Sequence, residues 1–156
     1  MSDIDIIIPG HELVAEFRTP NGLEREVITP LMYVANFNDI EMMKLLAENG
    51  ANVNAQDSHG QNAVMYAVFR YDTRMIDFLA SKRANMTAES FNDLASGITA
   101  LMVAASGGNI ETVKALIRNG ANVKAQNSKG NTALSVARYN GHTEIANLLK
   151  KNGARY

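Results

Sequence analysis

The chain has 156 residues, with 15 Lys+Arg against 16 Asp+Glu for a formal net charge of −1, and is 46% apolar with no cysteine and no tryptophan. That length suits one compact unit of about 100–200 residues, and the apolar and charged fractions exclude a disordered chain. Absence of cysteine excludes disulfides, a thiolate nucleophile and a zinc-thiolate site. No apolar run approaches the roughly 18 residues of a membrane span.

Taken in chain order, the acidic opening Met1-Ser2-Asp3-Ile4-Asp5 lacks the basic start of an export signal, and Pro9-Gly10 ends its short apolar run. The expectation is a cytoplasmic location by default, with export open if a leader was removed. Two partly alternating runs follow, Leu13 to Arg18 and Leu23 to Ile28, around Thr19-Pro20-Asn21-Gly22. Alternation about Pro-Asn-Gly predicts a β-hairpin.

From Thr29 a repeat takes over. Thr29, Asn62, Thr99 and Thr132 each open a similar apolar segment, at spacings of 33, 37 and 33 residues. The string Asn49-Gly50-Ala51-Asn52-Val53 returns as Asn119-Gly120-Ala121-Asn122-Val123, and Asn152-Gly153-Ala154 starts a third copy. Each unit reads as two short helices and a polar connection. Thr29 can cap, Pro30 is tolerated at the first helical position, and Leu31, Val34 and Ala35 recur at helical spacing. Asn38-Asp39 breaks that helix. Met42, Met43, Leu45 and Leu46 then form the apolar face of the next, and Gly50 supplies a left-handed C-cap. Such a pair cannot bury its own apolar face, so the units must stack into a solenoid.

This register resembles the ankyrin repeat family. Thr29-Pro30-Leu31-Met32-Tyr33-Val34-Ala35 is similar to its Thr-Pro-Leu-His-x-Ala signature. Gly141-His142-Thr143-Glu144-Ile145 and Asn49-Gly50-Ala51-Asn52-Val53-Asn54-Ala55 fit the rest of the pattern. The resemblance implies an all-α repeat solenoid of helix-turn-helix units with β-hairpin fingers. Its repeats would cover about 29–61, 62–98, 99–131 and 132–156, after an N-terminal cap over 1–28. Two roles stay open for the cap: covering the apolar end of the first repeat, or serving as a long first finger that reaches a partner.

Chemistry finds little purchase. His11, His59 and His142 lie far apart in the predicted stack and do not make a metal site, and Asp57-Ser58-His59 are consecutive, which the geometry of a catalytic triad forbids. Ser106-Gly107-Gly108-Asn109 ends a helix where a phosphate loop would open one. His142 falls in the family's Gly-His-x-Glu turn, where a structural hydrogen bond is expected. The reading is a non-enzymatic protein with no cofactor and no small-molecule substrate, monomeric by itself.

What the resemblance implies instead is a protein partner on the concave face, which is lined by the first helices and the finger tips. The positions carried over are Tyr33 and Phe37 in the first repeat, Tyr66, Phe69 and Arg70 in the second, Ser106 in the third and Tyr139 in the fourth. His59, Gln61 and Lys129 fall on the fingers. Aromatic residues and Arg make good interface anchors, although Tyr33 and Tyr66 fit a partly buried structural role equally well. The second repeat departs most from the pattern: Asn62-Ala63 stands for Thr-Pro, Tyr71-Asp72 for Gly-His, and Arg83 where Gly50, Gly120 and Gly153 stand. Four extra residues between Ala88 and Thr99 lengthen the following finger. Phe91 and Leu94 would either stand at its tip or fold back beneath it.

Charge is divided along the chain: residues 1–57 hold ten acids and three bases, a net of −7, and residues 58–156 hold twelve bases and six acids, a net of +6. A stack with opposite ends of that kind would orient a partner of complementary polarity, the alternative being a solvated surface whose imbalance is incidental. Two functional classes remain, an adaptor or scaffold and an inhibitor that occludes a cognate enzyme's active site. Nucleic acid is the weaker third, resting on the basic half alone.

Overall fold

The computed structural model describes residues 6–7, 14–19, 22–92 and 95–155. His11 and Leu94 lie outside them. Ahead of the repeats, β1 (Ile6–Ile7), β2 (Val14–Thr19) and β3 (Gly22–Val27) form an antiparallel sheet in that order, with Val14 opposite Val27 and Thr19 opposite Gly22. Four helix pairs follow: α1 (Pro30–Phe37) with α2 (Ile40–Glu48), α3 (Ala63–Val68) with α4 (Thr73–Ser81), α5 (Ala100–Gly107) with α6 (Ile110–Arg118), and α7 (Ala133–Tyr139) with α8 (Thr143–Lys151). Between the second and third pairs stands an antiparallel hairpin, β4 (Glu89–Asn92) and β5 (Ala95–Thr99).

None of these helices exceeds nine residues, and isolated helices shorter than about 12–15 residues are marginal in water. Their ends are therefore secured individually. Thr29, Asn62, Thr99 and Thr132 each accept a hydrogen bond from the backbone N–H three residues on, and Asp39 and Asn109 cap α2 and α6 in the same way. Every second helix closes identically: the N–H groups of Ala51, Ala84, Ala121 and Ala154 reach back to the carbonyls of Leu46, Leu79, Leu116 and Leu149 at 2.9–3.0 Å. That closure needs a left-handed residue just before the alanine. Gly50, Gly120 and Gly153 supply it at φ 88°, 90° and 90°, and Arg83 adopts it at φ 64°. A side chain there costs roughly 1 kcal/mol relative to Gly.

Stacking provides the rest. Leu31, Val64, Leu101 and Leu134 occupy one column of the first helices, each about 1% exposed, and Leu79, Leu116 and Leu149 fill the matching column of the second. Each column is a continuous apolar contact from one repeat to the next, which is how helices of this length remain folded. The expected apolar face of α2 is corrected at two positions. Met43 is buried and Leu46 half-buried, but Met42 and Leu45 are 42% and 52% exposed. In α4, which follows another helix pair, the corresponding Met75 is buried and Phe78 half-buried against the core, whereas α2 belongs to the first pair.

Two details of the α4–α6 contact are testable. The Thr112 hydroxyl is buried in α6 without a hydrogen-bond partner. Replacement by the isosteric Val removes an unpaired polar group, so Thr112→Val should raise unfolding stability by about 1 kcal/mol in chemical denaturation. Nearby, Asp77 accepts from Arg118 at 2.7 Å and from the Asn119 side-chain amide at 2.7 Å. Burial pushes the Asp77 carboxyl up, but the Arg118 hydrogen bond, the Asn119 hydrogen bond and the Arg118 charge together hold it below its ordinary value. A carboxyl lowered by folding contributes stability above its unfolded pKa, which is lost as pH falls through the folded one. The difference in Tm between wild type and Asp77→Asn should therefore shrink as pH drops below about 4.

Candidate concave interface

The C-terminal ends of the first helices form a row across the stack. Phe37, at the end of α1, is more than half exposed and packs against Tyr33, ring centroids 4.6 Å apart. Beside it Asn36 Oδ1 accepts a 2.9 Å hydrogen bond from the exposed Arg70, which ties the first repeat to the second. Phe69, the C-cap of α3, is 54% exposed. Ser106 and Gly107 continue the row on α5, and Tyr139 ends it on α7 at 91% exposure. Ser106 also holds the fourth repeat, because its carbonyl accepts from His142 Nε2 at 3.0 Å. A carbonyl only accepts, so Nε2 carries the hydrogen. His142 thus makes the structural hydrogen bond that its turn implied.

The finger turns are built on one plan. Asp57 Oδ1 accepts from the backbone N–H groups of His59 (2.8 Å) and Gln61 (2.9 Å), while Asn127 Oδ1 accepts from those of Lys129 (3.0 Å) and Asn131 (2.9 Å). Gly60 and Gly130 turn each loop at φ 73° and 76°. The side chains of His59 and Lys129 stand exposed at the two turns, and Gln61 is half-buried. Asp57 itself is buried, and its second oxygen accepts from the Tyr66 hydroxyl at 2.8 Å. Tyr66 is therefore a support for the turn, the structural alternative of its sequence reading.

The inserted finger is a strand pair knitted into its neighbours. The Phe91 N–H donates to the His59 carbonyl at 2.9 Å, and on the other side the Ser128 N–H donates to the Ser96 carbonyl at 2.8 Å. A bulge between Ser90 and Phe91 interrupts the pairing of β4 with β5. Phe91 is half-exposed, its ring 6.2 Å from that of His59 and 3.5 Å from the place a Cβ would take on Gly60. It rests against the preceding turn, an arrangement between the tip and fold-back placements.

Between α3 and α5 the row opens into a cleft of about 280 Å³, lined mainly by Val68, Phe69, Tyr71, Val103, Ser106 and Gly107. Tyr71 adopts φ 59° at the place where Gly108 and Gly141 stand in the next two repeats, again at roughly 1 kcal/mol relative to Gly. A Cβ on Gly107 would lie 3.4 Å from the Tyr71 hydroxyl. In the sequence Tyr71 departs from the repeat pattern and Gly107 falls at a helix end. That the two meet across a cleft depends on a contact 36 residues apart, which no local signal carries.

A family model described as ankyrin repeats in three copies matches residues 8–90 and 85–156. The chain belongs to the ankyrin repeat family, whose repeats are modules of protein–protein interaction. It is 33% identical to a probable E3 ubiquitin-protein ligase of rice over 104 residues, 67% of this chain and 19% of the relative. It is 30% identical to a putative ankyrin repeat protein of fowlpox virus over 86 residues, 55% and 12% of the two chains. With the chicken nuclear factor NF-kappa-B p105 subunit it shares 30% over 103 residues, 65% and 10%. The chain thus spans a tenth to a fifth of these relatives, and ubiquitin-ligase activity is a description of the rice protein. Among the described residues no helix is long and apolar enough to cross a membrane.

The geometry separates support from free surface. Tyr66→Phe leaves one buried carboxylate oxygen without its donor and should lower stability by about 1–3 kcal/mol. Phe37→Ala, at an exposed site, should lower it by less than about 1 kcal/mol in the same denaturation assay.

Proposed function

We propose that the chain binds a protein partner through the ends of its first helices and its finger turns, and acts as an adaptor or scaffold. The observation that carries this reading is the set of exposed aromatics at the ends of the first helices, Phe37, Phe69, Tyr71 and Tyr139, which the stack displays without burying them. Large apolar rings left in water on a rigid frame are the residues that contribute most when a partner covers them. Arg70, Ser106, Lys129, His59 and Phe91 extend the same surface, and Tyr33 supports it from behind Phe37. Leu94 belongs to the proposal only by its sequence position. A projecting finger with an apolar tip would suit an inhibitor that plugs an active site. The inserted hairpin is bonded to the turns on both sides, which favours a continuous surface and therefore the adaptor.

The test uses the partner crosslinked to the chain in its source cell and then purified. Phe37→Ala, Phe69→Ala and Phe91→Ala should each weaken its binding by more than about 1 kcal/mol in calorimetry where the residue is a hot spot, with Tm nearly unchanged. A loss of 2–4 kcal/mol of fold stability instead would mark these rings as core and the surface as misplaced. If the partner is an enzyme, an adaptor leaves its turnover unchanged at equimolar ratio, whereas an inhibitor suppresses it.

A further inference from the structure

We propose that the cleft between α3 and α5 receives a single aromatic or aliphatic side chain from an acidic segment of the partner, and that Tyr71 and Gly107 shape it for that purpose. This rests on the concave-face reading above and names the chemistry of the partner.

Two local rules are broken here, and they are broken against each other. Tyr71 holds a left-handed backbone at a place occupied by Asn38 in the first repeat and by Gly108 and Gly141 in the third and fourth. Gly107 sits in the last turn of α5, where a side chain would favour the helix. Exchange of either residue undoes the cleft: glycine at 71 removes one wall, and a large side chain at 107 fills the space. The fold asks for neither. The Tyr71 ring is more than half exposed, and its hydroxyl bonds to no described residue. The cleft's volume, about 280 Å³, lies just under the roughly 300–1,000 Å³ of pockets for drug-sized ligands. With Val68, Phe69 and Val103 as walls, it fits one side chain of a longer segment.

The surrounding charge selects that segment. Residues 28–156 hold thirteen Lys+Arg against ten Asp+Glu, and most of those acids are engaged. Glu41, Asp72, Asp77 and Glu111 pair with Lys44, Arg74, Arg118 and Lys114, which leaves the excess of cations unchanged, while Asp39 caps α2 and Asp57 is buried beneath Tyr66. Among the described residues of the first helices and their ends, the finger turns and the hairpin, the exposed charges are the cations Arg70, Lys129 and Arg138 and the acid Glu89. Arg70 stands in the chain between Phe69 and Tyr71, both of which line the cleft, and it is bonded to a neutral partner, Asn36, so its charge remains uncancelled by that contact. Carboxylates flanking the inserted side chain would meet Arg70 on one side and the Tyr71 hydroxyl as donor on the other.

Amide-resolved NMR titration of the full chain tests this with three capped pentapeptides: Glu-Asp-Phe-Asp-Glu, its Ala-centred counterpart, and Lys-Lys-Phe-Lys-Lys. The expected result is saturable shifts at the amides of residues 69–71 and 104–107 with the first peptide, and at least ten-fold weaker binding of the other two. Gly107→Leu and Tyr71→Gly should both abolish these shifts, with Tm unchanged or raised. Equal binding of the three peptides, no shifts at these amides, or full binding by both variants would overturn the proposal. Its failure is distinguishable from that of the concave-face reading. A partner lost on Phe37→Ala and Phe69→Ala but kept by Gly107→Leu and Tyr71→Gly leaves the broader surface standing without the cleft.

Discussion

Every feature of this protein depends on apolar contact between helix pairs too short to fold alone. Eight helices of six to nine residues stand among the described residues, and the columns through Leu31, Val64, Leu101 and Leu134 and through Leu79, Leu116 and Leu149 join them into one cooperative stack. Because each repeat is positioned by its neighbour, equivalent residues fall into rows. The side chain at the end of each first helix therefore lies beside its counterpart in the next repeat. Phe69 and Tyr139 occupy equivalent places in their repeats, and Phe37 and Tyr71 stand one and two places beyond that position, so the repeat fixes where the helix ends fall while the side chains shown there are set repeat by repeat.

Within that regular frame the second repeat is the exception. Two of its residues, Tyr71 and Arg83, adopt left-handed backbone where the other repeats mostly use glycine; Asn38 does so in the first. The bonds that close the helix are nonetheless intact around Arg83, with the Ala84 N–H reaching Leu79 as its equivalents do elsewhere. The stack imposes the conformation, and the side chain bears a modest strain. For Arg83 the described structure gives no gain that offsets it. Tyr71 differs, because its ring forms a wall of the cleft opposite a residue without a side chain. Local departures from a repeat pattern are most informative where they coincide with a shaped surface.

Much of the fold was legible in the sequence because ankyrin-type units are specified by local signals. Thr29, Thr99 and Thr132 announce helix starts, Gly50, Gly120 and Gly153 announce ends, and the left-handed Arg83 follows from alignment with those glycines. That His142 makes a structural hydrogen bond was readable from its turn, though its acceptor, the Ser106 carbonyl, was not. What escaped was non-local. Helical spacing assigned Met42 and Leu45 to an apolar face, but whether such a face is covered depends on the repeat before it. The Tyr66 hydroxyl and the Asp57 carboxylate are nine residues apart, and their pairing appears only once the turn is folded. The insertion's length was plain, yet its attachment to both neighbouring turns rests on backbone bonds that leave no compositional trace.

The account makes the concave row and its turns the partner-facing side and leaves the second helices facing away. Hydrogen–deuterium exchange on the chain with and without its purified partner measures this most directly. The account predicts added protection at residues 36–37, 69–71 and 104–107 and at the turns around 59–61 and 128–131, with α4, α6 and α8 unchanged. Protection concentrated on α4, α6 and α8, with the concave row exchanging as in the free protein, would contradict it.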